Sequence, residues 1–62
     1  MTDINELRPP IAEKCMVFCK DRGYYIGFRA NGGWYLWVGD TKIYVPNDEK
    51  DKKYEITKWE LL

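Results

Sequence analysis

The chain has 62 residues with ten basic and ten acidic side chains, so its formal net charge is zero. A neutral chain has no global field that would draw it to nucleic acid or to an anionic membrane, and no apolar run approaches the roughly 20 residues that cross a bilayer. Because there is no His and no Ser, the usual hydrolytic triads and most metal sites are excluded, and we expect one small non-catalytic domain without metal or cofactor.

Residues 1–13 are predicted to form an irregular N-terminal arm. Pro9-Pro10 prevents a helix from continuing there and does not fit a central strand. We expect Leu7 and Ile11 to pin the arm to the body of the protein. Residues 14–62 are then predicted to form a single β domain.

Runs of β-branched and aromatic residues follow the arm, and Gly, Asn and Asp separate them, which is typical of an antiparallel sheet. Five strands are predicted, at Cys15–Cys19, Tyr24–Arg29, Trp34–Val38, Thr41–Val45 and Tyr54–Leu61. The loop Pro46–Lys53 is mostly charged, which favours a solvated connection. The predicted fold class is all-β: a five-stranded antiparallel meander, rolled or arranged as a small SH3-like barrel.

The two cysteines, Cys15 and Cys19, lie in the same predicted strand. At about 3.3 Å per residue their Cα atoms are roughly 13 Å apart, whereas a disulfide needs less than about 7 Å. Their spacing is also not that of a C-x-x-C motif. We therefore expect two unpaired thiols that face the core.

The turn at Asn31-Gly32 decides which side chains share a face, since a shift of one residue in register turns a strand over. A two-residue loop would pair Ile26 with Trp37. A three-residue loop, Ala30–Gly32, would instead pair Ile26 with Leu36 and collect the aliphatic side chains on one face. The three-residue loop is the prediction.

The other two turns are both predicted to contain two residues. Gly39-Asp40 suits such a loop because Gly comes first. Arg22-Gly23 would bring Val17 opposite Phe28. The predicted inner face then comprises Cys15, Val17, Cys19, Ile26, Phe28, Trp34, Leu36, Ile43 and Val45.

The opposite face is predicted to be aromatic, although the outer face of an antiparallel sheet is normally polar. Tyr, Trp and Arg dominate interface hot spots, which favours a contact patch. The predicted partner-binding residues are Tyr25, Arg29, Tyr35, Trp37, Lys42 and Tyr44. A structural alternative is that the arm, Trp59 and Leu61, or closure of the sheet covers this face. Stacking of single-stranded nucleic acid on the face is a third alternative, which the neutral charge and the presence of only two cations oppose.

Four segments carry a family resemblance: Leu7–Val17, Tyr25–Phe28, Gly33–Tyr35 and Ile56–Leu61. They resemble short phage- and prophage-encoded proteins, grouped as a domain of unknown function, that typically close with Val-Thr-His-Trp-Met-Pro-Leu-Pro. This chain has Lys58 in place of the His and lacks the prolines. The resemblance implies a bacterial or phage cytoplasm and an accessory role in handling host defence or host machinery, but it supplies no active site.

The sequence therefore predicts a non-catalytic module that docks a protein, either a host protein that it inhibits or a second copy of itself. Binding of single-stranded nucleic acid and a structural role in a homo-oligomer are the alternatives. Met1–Asn5 lacks the basic and then apolar stretches of a secretory signal, which also favours a cytoplasmic protein.

Overall fold

The computed structural model describes all 62 residues and consists of strands, turns and loops. Its six strands are β1 (Thr2–Asp3), β2 (Lys14–Cys19), β3 (Gly23–Ala30), β4 (Gly33–Val38), β5 (Thr41–Pro46) and β6 (Ile56–Leu61). They form one antiparallel sheet in the order β1-β6-β2-β3-β4-β5. No helix is present that could span a membrane.

The prediction of an all-β fold is confirmed, but the five-stranded meander is wrong in two respects. The predicted arm supplies an additional strand, β1, which pairs with β6. The last strand does not continue the meander beside β5 but returns to pair with β2, so that Trp59 lies opposite the buried Val17. The long charged loop makes this return possible, and burial of the Trp59 ring favours it.

The sheet curls on itself without closing, since β1 and β5 are its two edges. Its extents of 25 × 23 × 23 Å are nearly equal, as expected of a strongly rolled sheet. One cause is an irregularity in β6, where Ile56 and Lys58 pair with consecutive residues of β2 and Thr57 is the additional residue. Such a bulge bends the strand and increases its twist.

The inner face of the roll holds the core, which comprises Cys15, Val17, Cys19, Trp34, Leu36, Val45 and Trp59. Both cysteines are unpaired and fully buried, as predicted. The Cys15 thiol donates a hydrogen bond to the Glu13 carbonyl oxygen at 3.2 Å. The predicted faces of β2, β4 and β5 are therefore confirmed.

The prediction is wrong for β3, because both turns that flank it differ from expectation. Ala30 pairs with Gly33, so the loop is the two-residue Asn31-Gly32, with φ of +81° at Gly32. Gly adopts such a left-handed φ without strain. At the other end Cys19 pairs with Gly23, which makes a three-residue loop instead of Arg22-Gly23.

The register of β3 thus differs from the prediction by one residue against β4 and by three residues against β2. Both differences are odd, so this strand alone is turned over. Ile26 and Phe28 lie on the outer face, while Tyr25 and Arg29 lie on the inner face. The physical reason is Gly27, which pairs with Leu36 and leaves the room that the leucine side chain occupies. At this position the inner face is filled by Leu36, while Tyr25 of the same strand packs against the core.

The arm crosses the inner face, although not through the residues predicted to pin it. Leu7 and Ile11 are 62% and 47% exposed. Instead Pro9 is buried, and the indole N–H of Trp59 donates to the Leu7 carbonyl oxygen at 2.7 Å. The guanidinium of Arg29 donates to the Pro9 carbonyl oxygen at 2.9 Å. The buried Pro9 ring and two peptide carbonyls, and not Leu7 and Ile11, thus fasten this part of the arm.

Gly27→Ala is expected to destabilise the protein, because the new methyl group would meet the Tyr35 carbonyl oxygen and come within 2.6 Å of Leu36 Cδ2. Overpacking of this kind costs typically about 1–3 kcal/mol. Urea unfolding followed by tryptophan fluorescence measures the change. An unchanged midpoint would contradict the close approach of β3 and β4.

Because both thiols are buried, we predict that the protein loses stability at alkaline pH. Desolvation raises the pKa of both thiols and that of Cys19 to about 11, although Arg22 opposes the rise at Cys19. The pKa of an unfolded thiol is about 8.5. The contribution of the Cys19 thiol to the free energy of unfolding is therefore fully present below about pH 8.5 and is lost as the pH rises toward 11.

The Cys19→Ala variant tests this dependence, because it removes the titrating group. The difference in free energy of unfolding between wild type and variant should shrink across that pH range, while contributions common to both proteins cancel in the comparison. A constant difference would rule out Cys19 as a source of the pH dependence.

Candidate functional site

Three rows of side chains cross the outer face, because residues paired on neighbouring antiparallel strands lie side by side. The first row is Glu60, Met16, Ile26, Trp37 and Lys42. The second row is Lys14, Phe28, Tyr35 and Tyr44. The third row is Lys58, Phe18 and Tyr24. We call the side of the sheet that carries these three rows the aromatic face.

Ring contacts hold the centre of the aromatic face together. Phe28 stacks on Tyr35 with ring centroids 5.2 Å apart and an interplanar angle of 25°, and its centroid lies 5.7 Å from that of Trp37. Tyr35 also contacts Tyr44, at 5.0 Å. Each such pair contributes about 0.5–1.5 kcal/mol beyond the burial of its area. The rings therefore hold one another in place within the free chain.

Tyr44 owes its position to a neighbouring glycine. Its ring lies across Gly33, where an added Cβ would come within 2.9 Å of the ring and the hydroxyl. Its hydroxyl is 3.5 Å from the Asn31 carbonyl oxygen, the geometry of a weak donated hydrogen bond. The ring is held against the Asn31-Gly32 turn while 45% of the residue stays exposed.

Lysines frame the aromatic face. Lys14 Nζ lies 5.6 Å from the Trp37 ring centroid, and Lys42 Nζ lies 5.3 Å from that of Tyr35. Both distances are within the range of cation–π attraction. Lys58 is a third exposed cation and Glu60 is the single acid in the three rows. The face is thus locally positive although the whole chain is neutral.

No residue of the three rows is fully buried, and no other part of the chain covers the face. Tyr24 is 62% exposed, and Trp37, Phe28 and Tyr35 are partly exposed. The structural alternative that the arm or Trp59 covers this side is wrong. Trp59 is buried on the inner face, where its indole bonds to the arm. A large exposed apolar patch of this kind is typical of an interaction surface.

The structure brings four of the six predicted site residues together on this face, namely Tyr35, Trp37, Lys42 and Tyr44. The other two are corrected. Tyr25 lies on the inner face and contacts Tyr54 edge to face at 5.5 Å, and Arg29 binds the Pro9 carbonyl there.

Sequence reasoning assigned Ile26 and Phe28 to the core and left Met16 and Lys14 out of the site. The Asn31-Gly32 dipeptide is the local signal for the two-residue loop that turns β3 to its observed face, but it is also compatible with the three-residue loop.

The inner side of the roll carries a second concave surface, of about 390 Å³, between the arm and the charged loop. Arg8 and Lys52 line it together with Asp3 and Glu55, over a floor that includes Trp34. No buried polar side-chain atom lacks a partner, and no three acidic or thiol side chains come together as a metal site. The mixed charges of this surface single out no ligand.

Comparisons with protein-family models, with curated proteins and with solved structures find no significant match to this chain. The resemblance to phage-encoded proteins therefore stays a prediction. The chemistry of the aromatic face is what the chain itself offers as a guide to function.

The two central tryptophans are expected to respond differently to truncation. Trp34 is 4% exposed in the core, so Trp34→Ala should cost about 3–5 kcal/mol and unfold much of the protein. Trp37→Ala should leave a folded domain, because the Trp37 ring is partly exposed and opposes Lys42 on the outer face. Circular dichroism and urea unfolding of both variants make the comparison. Equal losses would contradict the assignment of the faces.

Proposed function

We propose that this chain is a non-catalytic binding module that docks a partner protein through its aromatic face. The observation that carries the proposal is a set of mutually packed, partly exposed rings on the side of the sheet that the rest of the chain leaves open. Trp and Tyr contribute most to interface hot spots, and they bury a large area with few rotatable bonds.

Order within the face supports docking of a folded partner. Phe28 is held between Tyr35 and Trp37, and Tyr44 is held over Gly33. Ordering a side chain on binding costs about 0.5–1.5 kcal/mol, and rings that are already packed avoid most of that cost. The free face therefore already has the arrangement in which it would bind.

Charge indicates the character of the partner surface. Lys14, Lys42 and Lys58 frame the rings, and Glu60 is the one acid among them. A complementary surface would be apolar at its centre and acidic at its rim, an arrangement that raises the rate of association and excludes basic partners. In the phage-type setting that the motifs imply, this would be a host protein in the bacterial cytoplasm that the module inhibits. The SH3-like architecture stays a prediction as well.

Single-stranded nucleic acid is the second candidate, and one observation favours it. The face carries three lysines beside stackable rings, and each stacked base contributes about 1–3 kcal/mol. Protein docking is preferred, because the chain as a whole supplies no net positive charge to attract phosphates.

The test compares wild type with Trp37→Ala and with the double variant Lys14→Glu/Lys42→Glu. Proteins retained from a bacterial lysate by the wild type are purified and their affinities for each variant measured by calorimetry. Loss of a central aromatic anchor should weaken true docking about 30-fold or more. Leu7→Ala is the matched control, since Leu7 is an exposed apolar residue of the arm and lies off the face.

Each outcome discriminates between the candidates. Binding lost in both face variants and kept in Leu7→Ala supports docking through the aromatic face. Equal binding by all variants would refute it. Oligothymidylate that quenches wild-type tryptophan fluorescence, with an affinity that falls steeply as salt rises, would instead favour the nucleic-acid candidate.

A further inference from the structure

The sheet has one long unpaired edge, β5. Its other edge, β1, has two residues, whereas β5 has six. An edge strand presents a row of backbone N–H and C=O groups that another strand can pair with. The chain does not block this edge, because after Pro46 it turns back toward β4, where the Asn47 N–H donates to the Gly32 carbonyl oxygen at 2.8 Å.

The same hydrogen bond shows which backbone groups of β5 face outward. Gly33 pairs with Pro46, so Gly32 and Asn47 form the next pair along the ladder, and that pair is hydrogen-bonded. Hydrogen-bonded pairs alternate along an antiparallel ladder. Thr41, Ile43 and Val45 therefore bond to β4. Both backbone groups of Lys42 and of Tyr44 point away from the sheet.

We propose that two copies of this chain associate through β5, antiparallel, about a two-fold axis at Ile43. Lys42 of one copy then lies opposite Tyr44 of the other, and the two residues exchange both of their backbone hydrogen bonds. The two-fold axis repeats the exchange at the second Tyr44–Lys42 pair. Every outward backbone group of these two residues is satisfied in both copies.

The side chains select this register. On the outer face each Lys42 meets a Tyr44 ring, the same cation–ring contact that Lys42 makes with Tyr35 at 5.3 Å within one copy. Ile43 meets Ile43 on the inner face, and Thr41 meets Val45. No two like charges are opposed, and favourable cross-strand pairs each contribute about 0.2–1 kcal/mol.

The neighbouring registers are worse. A two-fold axis at Lys42 would oppose two lysines, and like charges directly opposite are destabilising. An axis at Tyr44 would oppose Lys42 to Pro46, which has no N–H to donate. Within β5, Ile43 is thus the centre that keeps both the hydrogen bonds and the charges favourable.

Pairing of this kind joins the two aromatic faces. Lys42 ends the row that contains Trp37, and Tyr44 ends the row that contains Tyr35. In the dimer, the Trp37 row of one copy would therefore continue into the Tyr35 row of the other copy. The dimer would present one aromatic surface twice as wide. The inference concerns a different edge of the molecule and does not rest on the proposed docking function.

Disulfide capture tests the register with the full chain. Residues at position 43 would form a non-hydrogen-bonded pair with Cα atoms about 4.5 Å apart, a distance that a disulfide spans. Ile43→Cys should form a covalent dimer under mild oxidation at least about tenfold faster than Lys42→Cys or Tyr44→Cys, whose thiols lie opposite a different residue. These two variants are matched controls on the same strand, and the native Cys15 and Cys19 are buried.

Amide exchange of the unmodified protein gives an independent readout. The Lys42 and Tyr44 amides should exchange quickly in dilute solution and slow severalfold as concentration rises, while the Ile43 and Val45 amides stay protected at every concentration. Sedimentation velocity should show a dimer over the same range. Equal rates of disulfide formation at the three positions, or a monomer with fast Lys42 and Tyr44 exchange at all concentrations, would overturn the proposal.

Discussion

The contact between Gly27 and Leu36 determines how the rest of this small sheet is arranged. A glycine in the middle of β3 has no side chain to occupy the inner face, so Leu36 lies over it and is fully buried. Any larger residue there would push β3 and β4 apart. Because Gly27 faces inward, Ile26 and Phe28 on either side of it must face outward, where Phe28 becomes the centre of the ring cluster. One missing side chain thus shapes both the core and the aromatic face.

The arm makes the two faces of the sheet differ in their exposure to solvent. A sheet this small exposes two surfaces, and this chain covers one of them with its own first residues. Arg29 and the Trp59 indole, both on the inner side, bind peptide carbonyls of the arm, and Pro9 is buried against the core. Cysteine, valine and leucine in the middle of the inner face are thereby removed from water. The arm does not cross the outer face, whose rings stay partly in solvent.

Charge follows the same division. The acidic residues outnumber the basic ones in the arm, whereas the outer rows hold Lys14, Lys42 and Lys58 with Glu60 alone opposing them. Although the whole chain is neutral, positive charges therefore surround the apolar rings of the outer face. Lys42 has a place in both proposals, because its side chain frames the aromatic face and its backbone lies at the open edge. In the dimer the Lys42 side chain would also meet the Tyr44 ring of the second copy on that face.

The amino-acid sequence by itself determined the five strands β2 to β6, though not β1, together with the facing of β2, β4 and β5 and the burial of both thiols. The strands and their facing follow from the alternation of side chains between the two faces of a strand. Gly39-Asp40 also favours a two-residue loop, because Gly comes first. Only the tertiary structure decided the facing of β3 and the return of β6 beside β2. A change of one residue in loop length turns a strand over. Asn31-Gly32 is compatible with a two-residue and with a three-residue loop, and the packing of Leu36 over Gly27 decides between them. The position of β6 is decided by where Trp59 can be buried, a contact between residues too distant in the chain for any local pattern to specify.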